Sequence, residues 1–178
     1  METWITKQEI HKGKIFSLLG GKVALDDGKT SIREYVHHPG GVAIVPVIEE
    51  RVILIRQFRI AIGRELVELP AGLLEPGEEP LRCAERELEE EIGYRAKELI
   101  PLASYYSSVG FADERMHIFL ALNPEKARHK WDVDERIWKV SMPLDVVREK
   151  LAAQEFEDAK TIIGLREFLG YRERNHGK

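Results

Sequence analysis

The stretch GLLEPGEEPLRCAERELEEEIGY, residues 72–94, decides the fold because it specifies a helix and the loop that leads into it. Pro80 suits the first turn of a helix, where its missing N–H is not needed, and Gly93 suits the position just past the end. Before the helix, Pro76-Gly77 favours a loop over residues 73–77. Apolar residues recur at spacings of three and four and give the predicted helix one apolar face: Leu81, Ala84, Leu88 and Ile92.

The same helix carries a cluster of carboxylates on another side. Glu87 and Glu91 are four residues apart and project about one turn apart, with Glu90 beside them. Ten glutamates fall between residues 65 and 91, against only Arg82 and Arg86. A solvated acidic face is one explanation, but such charge density is also stabilised by a bound cation. Oxygen ligands suit Mg²⁺ or Mn²⁺ rather than zinc, so we expect a divalent cation here.

The rest of the chain predicts a mixed α/β domain. Residues 42–48 and 52–58 are apolar strands whose nearly continuous hydrophobicity indicates burial on both faces. Upstream, strands are predicted at 14–19 and 32–36, with turns at Gly20-Gly21 and Asp26-Asp27-Gly28. The remaining predicted elements are strands at 99–106, 116–122 and 136–140, a loop at 123–134, and helices at 143–153 and 159–169. The N-terminal strands are the one segment expected to form a separate sheet.

Composition limits the class of protein. The chain has 178 residues, 43% hydrophobic and 33% charged, which fits one globular domain. No apolar run approaches the roughly 20 residues of a membrane-spanning helix, and the N-terminal METWITKQEI lacks the features of a secretory signal. Cys83 is the only cysteine, which excludes an internal disulfide and a cysteine-based zinc site. With a net charge of −4, we expect a cytoplasmic protein with no nucleic-acid or membrane partner.

The spacing within residues 72–94 resembles the Nudix box, the signature of hydrolases that cleave nucleoside diphosphates linked to another group. Every fixed glycine and charged position of the box is present, and Tyr94 alone departs from the usual aliphatic residue. Other segments resemble the ADP-ribose pyrophosphatase branch of that family, so that the likeness spans residues 14–169. These segments are His38-Pro39-Gly40, Arg56-Gln57-Phe58-Arg59, Glu68-Leu69-Pro70-Ala71-Gly72, Gly110-Phe111-Ala112-Asp113-Glu114 and Asp158-Ala159-Lys160-Thr161-Ile162-Ile163.

The resemblance implies the Nudix α/β/α sandwich with a mixed sheet, plus an N-terminal antiparallel sheet. Residues 1–178 would form a single Nudix hydrolase domain, with the strands of 1–38 in dimerisation and 39–178 as the Nudix core. It also implies a homodimer in which the N-terminal sheet reaches the partner subunit.

The resemblance also implies a set of site residues. It places metal on Glu87 and Glu91, with Glu90 assisting, and on the carbonyl oxygen of Ala71. Arg59 matches an arginine that contacts the substrate diphosphate, and Glu68 matches a glutamate near the metal or the substrate. The catalytic group would comprise Glu135, Glu90 and Arg86.

Two loops depart from the family pattern. In Asp132-Val133-Asp134-Glu135, Val133 stands where a glutamate often supplies the general base, which makes Glu135 the candidate for base or third metal ligand. In Ser108-Val109-Gly110, Val109 stands where the branch tends to have proline. Val109 and Gly110 are expected to bind substrate, and the valine favours a broader choice of sugar.

The implied function is Mg²⁺-dependent hydrolysis of ADP-ribose to AMP and ribose 5-phosphate, with Mn²⁺ able to substitute. One alternative is hydrolysis of another nucleoside diphosphate sugar, such as GDP-mannose or ADP-glucose, because only the diphosphate reacts. Another is a Nudix fold that senses ADP-ribose without cleaving it. Such modules tend to lose box glutamates, and this chain keeps them.

Two histidines, two tryptophans and the cysteine are weaker candidates for the functional site. His37 and His38 precede a turn and are expected to be structural. Trp131 and Trp138 could stack on a base, but packing is the favoured prediction. Cys83 is expected to pack.

Overall fold

The computed structural model describes residues 1–127 and 136–176. Within them the chain forms two compact units: Met1–Gly40 with Tyr105–Arg115, and Gly41–Ser104 with the described part of Met116–Lys178. No helix of the described residues is long and apolar enough to cross a membrane.

The first unit contains an antiparallel sheet built around its longest strand. Its strands are β1 (Glu2–Trp4), β2 (Gln8–Lys12), β3 (Ser17–Leu25) and β4 (Thr30–His37). β3 pairs antiparallel with each of the other three, which confirms the separate N-terminal sheet. The turn at residues 26–28 is confirmed, with Gly28 at φ 82°. The turn predicted at Gly20-Gly21 is wrong, because both residues lie inside β3. The strand predicted at 14–19 therefore has the wrong bounds, since β3 begins at Ser17 and continues to Leu25.

Gly21 lies where strand β3 and the segment around Thr6 approach each other closely. A Cβ there would lie 2.0 Å from the carbonyl oxygen of Thr6. Residues Ile5 and Thr6 both donate their N–H groups to the carbonyl of Lys22. Any larger side chain at Gly21 would push this N-terminal segment off the sheet.

From residue 41 onward the described chain forms a seven-stranded mixed sheet with helices. The elements are β5 (Gly41–Ile48), β6 (Arg51–Arg59), β7 (Arg64–Glu68), β8 (Ala71–Leu73), α1 (Pro80–Ile92), β9 (Tyr94–Arg95), β10 (Leu99–Tyr106), β11 (Arg115–Leu122), β12 (Glu125–Lys126), β13 (Ile137–Pro143), α2 (Leu144–Ala152) and α3 (Ala159–His176). The strand order is β10-β11-β5-β6-β13, with β8 on β5 and β7 on β6. β11 runs parallel to β5, whereas β6, β7, β8 and β13 pair antiparallel. β9 and β12 pair separately.

Helices cover both faces of this sheet. Successive side chains of a strand point to opposite faces. Val42 and Ile44 of β5 belong to the core cluster that includes Leu88 of α1. Val45 is the next residue of β5 after Ile44, so its side chain points to the opposite face of the sheet. Helix α3 lies on that face, because a Cβ added to Gly164 of α3 would be 3.4 Å from the side chain of Val45. The layers are therefore α/β/α, as the resemblance implied.

Most elements predicted from residue 42 onward are confirmed, with four differences. The predicted loop at 123–134 contains β12, and its residues 128–134 lie outside the described residues. Residues 71–73, expected to belong to the segment that leads into a loop and to the start of that loop, form β8, and β7 was not predicted. α3 continues past the predicted end at residue 169 to His176. Leu81 does not belong to the buried face of α1, because it lies in the exposed first turn, and the fully buried Cys83 takes its place.

Candidate active site

The ends of α1 are fixed by local backbone chemistry. Glu79 is extended, with φ −73° and ψ 137°, and Pro80 opens the helix where its missing N–H is tolerated. Gly93 adopts φ 67°, a left-handed conformation that favours glycine, and donates its N–H to the carbonyl of Glu89 at 3.0 Å. These two signals place the box glutamates in the last turns of the helix, as predicted.

Glu87 and Glu91 point at strand β8, and both are largely buried, with 9% and 6% of their surface exposed. Glu91 accepts a hydrogen bond from the N–H of Ala71 at 2.7 Å. Glu87 lies so close to Gly72 that a Cβ there would be 1.8 Å from its Oε1. The first glycine of the box, Gly72, therefore leaves the space that the carboxylate of Glu87 occupies. The sequence predicted that these carboxylates lie on a different side of α1 from its apolar face. In the structure, Glu87 and Glu91 are instead buried at the edge of the core, so this part of the prediction is corrected.

Arg86 forms ion pairs with three carboxylates of the box, those of Glu78, Glu87 and Glu90. Its Nη1 lies 2.6 Å from Glu87 Oε1 and 3.0 Å from Glu90 Oε2. Its Nε and Nη2 donate to the two oxygens of Glu78, each at 3.0 Å, and Nη2 also donates to the carbonyl of Leu73. Hydrogen bonds from Arg86 lower the pKa of Glu78 to about 2, and the same pairing raises the pKa of Arg86. One guanidinium thus ties the loop at residues 73–78 to the helix.

The donors of this cluster fit a hard divalent cation. Carboxylate oxygens of Glu87, Glu90 and Glu91 and the carbonyl of Ala71 are the ligand type that Mg²⁺ takes. Among the described residues, no three His, Cys, Asp or Glu side chains meet closely enough to hold a metal ion as they stand. The positive charge between Glu87 and Glu90 in this structure is Arg86.

Arg59 and Glu68 form a second group at the ends of β6 and β7. Arg59 donates through Nε and Nη2 to the two carboxylate oxygens of Glu68, at 2.7 and 2.6 Å. Glu68 is 1% exposed. Its carboxylate also pairs with Lys160 of α3, a contact that no sequence pattern indicated. The structure thus brings two predicted site residues together as partners.

The other predicted site residues lie elsewhere in the chain. Val109 and Gly110 belong to the first compact unit, in a turn where the N–H of Phe111 donates to the carbonyl of Ser108 at 3.1 Å. Val109 is 78% exposed. Glu135 lies outside the described residues, as does Trp131.

The weaker candidates have structural roles or open surroundings. His37 pairs with Asp113 at 2.7 Å, and His38 Nδ1 accepts the N–H of Gly40. Cys83 is buried, and burial raises the pKa of its thiol to about 12, so it packs as expected. Trp138 is half exposed on β13, so the packing expected of it is wrong.

Comparison with known proteins agrees with this geometry. The NUDIX domain family matches residues 37–163. The ADP-ribose pyrophosphatase of Bacillus subtilis (strain 168) is 42% identical over 167 residues, covering 92% of this chain and 90% of that protein. The methanol dehydrogenase activator of Bacillus methanolicus is 36% identical over 167 residues with the same coverage, 92% and 90%. The crystal structure of an ADP compounds hydrolase superposes with a TM-score of 0.86 at 22% identity, over 98% of this chain and 95% of the other, and so has the same fold. The chain belongs to the NUDIX domain family.

Proposed function

We propose that this protein hydrolyses the diphosphate bond of ADP-ribose with Mg²⁺, giving AMP and ribose 5-phosphate. The observation that carries the proposal is the box itself. Glu87 and Glu91 are buried against β8, and Arg86 binds Glu78, Glu87 and Glu90. The 42% identity to an ADP-ribose pyrophosphatase over 92% of the chain supports the choice of substrate.

Glu87, Glu91, Glu90 and the Ala71 carbonyl are the residues proposed to hold Mg²⁺, with Mn²⁺ able to substitute. A divalent cation at such a site neutralises phosphate charge, orients the diphosphate and lowers the pKa of a bound water. The position of Glu91 supports this role, because its carboxylate accepts the N–H of Ala71 at 2.7 Å and so lies against the residue whose carbonyl is proposed as a ligand.

The chain's own residues supply the rest of the reaction. Arg59, 42% exposed at its side chain, is proposed to bind the diphosphate. Glu135 is proposed as the base that accepts a proton from the attacking water. The water oxygen forms a bond to one phosphorus, and the bridging oxygen leaves with the bonding electron pair on the other phosphate. Arg86 is proposed to hold the box carboxylates in place between turnovers.

A second candidate activity is cleavage of other nucleoside diphosphate sugars, such as GDP-mannose or ADP-glucose. The observation that favours it is the exposed Val109 at the second position of the 108–111 turn. Proline at that position would fix φ and remove an N–H. Valine leaves the turn freer, so the sugar end of the substrate would be selected less strictly.

We also propose that the protein is a cytoplasmic homodimer without a nucleic-acid partner, with residues 1–38 in its interface and 39–178 as its core. Exposed apolar side chains of the first unit support the interface: Trp4, Ile5, Ile10, Ile15, Phe16 and Ile32. These side chains are 37% to 64% exposed, and an interface would remove their apolar surface from water. Sedimentation of a stable, fully active monomer at micromolar concentration would contradict this assembly.

The experiment that tests the proposed function is a substrate panel. Purified protein is given ADP-ribose, GDP-mannose or ADP-glucose with Mg²⁺, and the phosphomonoester products are measured as phosphate after a phosphatase step. We expect ADP-ribose to give the highest kcat/KM. Binding of ADP-ribose without metal-dependent turnover would contradict the hydrolase and favour a sensor.

A further inference from the structure

A buried cluster of charges lies outside the Nudix box, where β6 and β7 end and α3 begins. It consists of Arg59, Glu68, Lys160 and Asp158, and we call it the α3 cluster. Glu68 pairs with both Arg59 and Lys160. Lys160 Nζ also lies 3.0 Å from Asp158 Oδ1. Only Arg59 is substantially exposed, since the side chains of Lys160 and Asp158 are 14% and 18% exposed.

The first turn of α3 is fixed so that Lys160 has little freedom. Asp158 Oδ2 accepts the N–H of Thr161 at 3.0 Å and its hydroxyl at 2.6 Å, which is the geometry of a helix N-cap. The hydroxyl of Thr161 in turn accepts the N–H of Leu69 at 2.8 Å. This buried link holds α3 against the segment that joins β7 to β8. Lys160 is therefore presented to Glu68 by a rigid element.

The charges of the α3 cluster balance only with Lys160 included. Glu68 and Asp158 carry two negative charges, and Arg59 and Lys160 carry two positive ones. Burial alone would raise the pKa of Glu68, but hydrogen bonds and charges from Arg59 and Lys160 outweigh burial and hold that pKa below its usual value. Without Lys160, Arg59 alone would face two carboxylates, and its positive potential toward an anionic ligand would fall.

The orientation of Arg59 depends on the same carboxylate. Arg59 uses Nε and Nη2 for Glu68, so Nη1 is not part of that pair. A bidentate pair of this kind fixes the plane of the guanidinium. Glu68 is held in turn by Lys160.

We propose that Lys160 is a positioning residue for diphosphate binding. By sharing the carboxylate of Glu68, it holds the guanidinium of Arg59 in one orientation and keeps its charge available to the substrate. The identity of the ligand rests on the proposed function, whereas the dependence of Arg59 on Lys160 rests on the α3 cluster alone. Because Arg59 would bind the diphosphate in ground state and transition state alike, loss of Lys160 should act on KM rather than on kcat.

The test compares Lys160→Met with the conservative Lys160→Arg. We expect Lys160→Met to raise KM for ADP-ribose about tenfold or more while kcat stays within about threefold, and Lys160→Arg to restore most of the loss. Lys160→Gln, which keeps a donor without the charge, replaces the methionine variant should that one fail to fold, with the same expectation. The dissociation constant for ADP-ribose, titrated calorimetrically in EDTA, should rise in parallel with KM.

The matched control is Arg64→Met. Arg64 of β7 pairs with Glu157, just before α3, so it bridges the same two segments as Lys160. That pair is exposed on both sides, and exposed pairs contribute little. Arg64→Met should leave KM, kcat and the dissociation constant unchanged. An equal effect of Arg64→Met would mean that any loosening of α3 suffices, and would overturn the role of Lys160.

A double variant shows whether Lys160 acts through Arg59. Arg59→Ala should raise KM by itself, and adding Lys160→Met should then change KM by less than about twofold, because the coupled interaction is already lost. Independent effects that multiply, or a fall in kcat with KM unchanged, would overturn the proposal. If the wild-type protein binds ADP-ribose without cleaving it, the proposed hydrolysis is refuted. The dissociation constants of the wild type and the Lys160 variants would then still show whether Lys160 positions Arg59. Wild-type protein that does not bind ADP-ribose would overturn both.

Discussion

Replacing Gly72 by alanine places a methyl group where the carboxylate of Glu87 lies. The new Cβ would be 1.8 Å from Glu87 Oε1 and 1.9 Å from its Cδ, whereas ordinary contacts begin near 3.4 Å. The carboxylate must therefore move by about 1.6 Å, the difference between these two distances. Gly72 lies in a strand with no left-handed φ, so alanine adds no backbone strain there.

The displacement should cost activity much more than stability. Glu87 reaches Gly72 with the far end of a flexible side chain, which can turn aside without unfolding the protein. A misplacement of about 1 Å in a catalytic constellation can cost about a hundredfold in rate. We therefore expect Gly72→Ala to lower kcat/KM for ADP-ribose by about a hundredfold, or about 2.7 kcal/mol. The free energy of unfolding should change by no more than about 1 kcal/mol.

The assay pairs steady-state kinetics with urea unfolding, and Gly170→Ala is the control. Gly170 lies in α3, where a Cβ would meet only the end of the Arg174 side chain at 3.2 Å. That variant should keep wild-type kinetics and gain slightly in stability, because alanine is the better helix former. A Gly72→Ala protein that keeps more than about a tenth of wild-type kcat/KM would refute the argument from Glu87. So would one that loses activity only because it unfolds.

Three further changes have defined outcomes. Glu91→Gln keeps the shape but removes the charge, so turnover at saturating Mg²⁺ should fall below about a tenth of wild type, with circular dichroism unchanged. Glu78→Gln should cost about 1 kcal/mol of unfolding free energy at pH 7, measured in EDTA. Because the pKa of Glu78 is lowered from 4.5 to about 2, that difference should be complete above pH 4.5 and vanish as the pH falls toward 2, and a constant difference would contradict the pairing with Arg86. Val109→Pro fits the second position of the 108–111 turn, where proline is favoured, and should narrow the substrate range toward ADP-ribose. A wild type that already prefers ADP-ribose by about a thousandfold would show that Val109 carries no specificity.

The parts of the fold that the sequence predicted are those governed by local chemistry. Pro80 and Gly93 act within one turn of their own positions, so the ends of α1 could be placed from the sequence. β5 and β6 are apolar on both faces because helices cover the sheet on both sides, and their bounds were predicted within one residue. The carboxylate spacing of Glu87 and Glu91 follows from the helical repeat alone.

The parts that were missed depend on contacts between distant segments. Gly21 signals a close approach to Thr6 rather than a turn, and both uses favour glycine equally in the sequence. Lys160 and Glu68 meet across 92 positions of the chain, which no periodicity encodes. Leu81 matches the apolar spacing of α1 but sits in its first turn, which the structure leaves exposed.

The measurement that tests the central claim most directly is product analysis of a single reaction. Wild-type protein is incubated with ADP-ribose and Mg²⁺, and the products are separated by ion-exchange chromatography and identified by mass. We predict AMP and ribose 5-phosphate in equal amounts, with neither formed in EDTA and both formed by the Glu91→Gln variant at less than about a tenth of the wild-type rate. Intact ADP-ribose, or equal product yields from wild type and Glu91→Gln, would contradict this prediction.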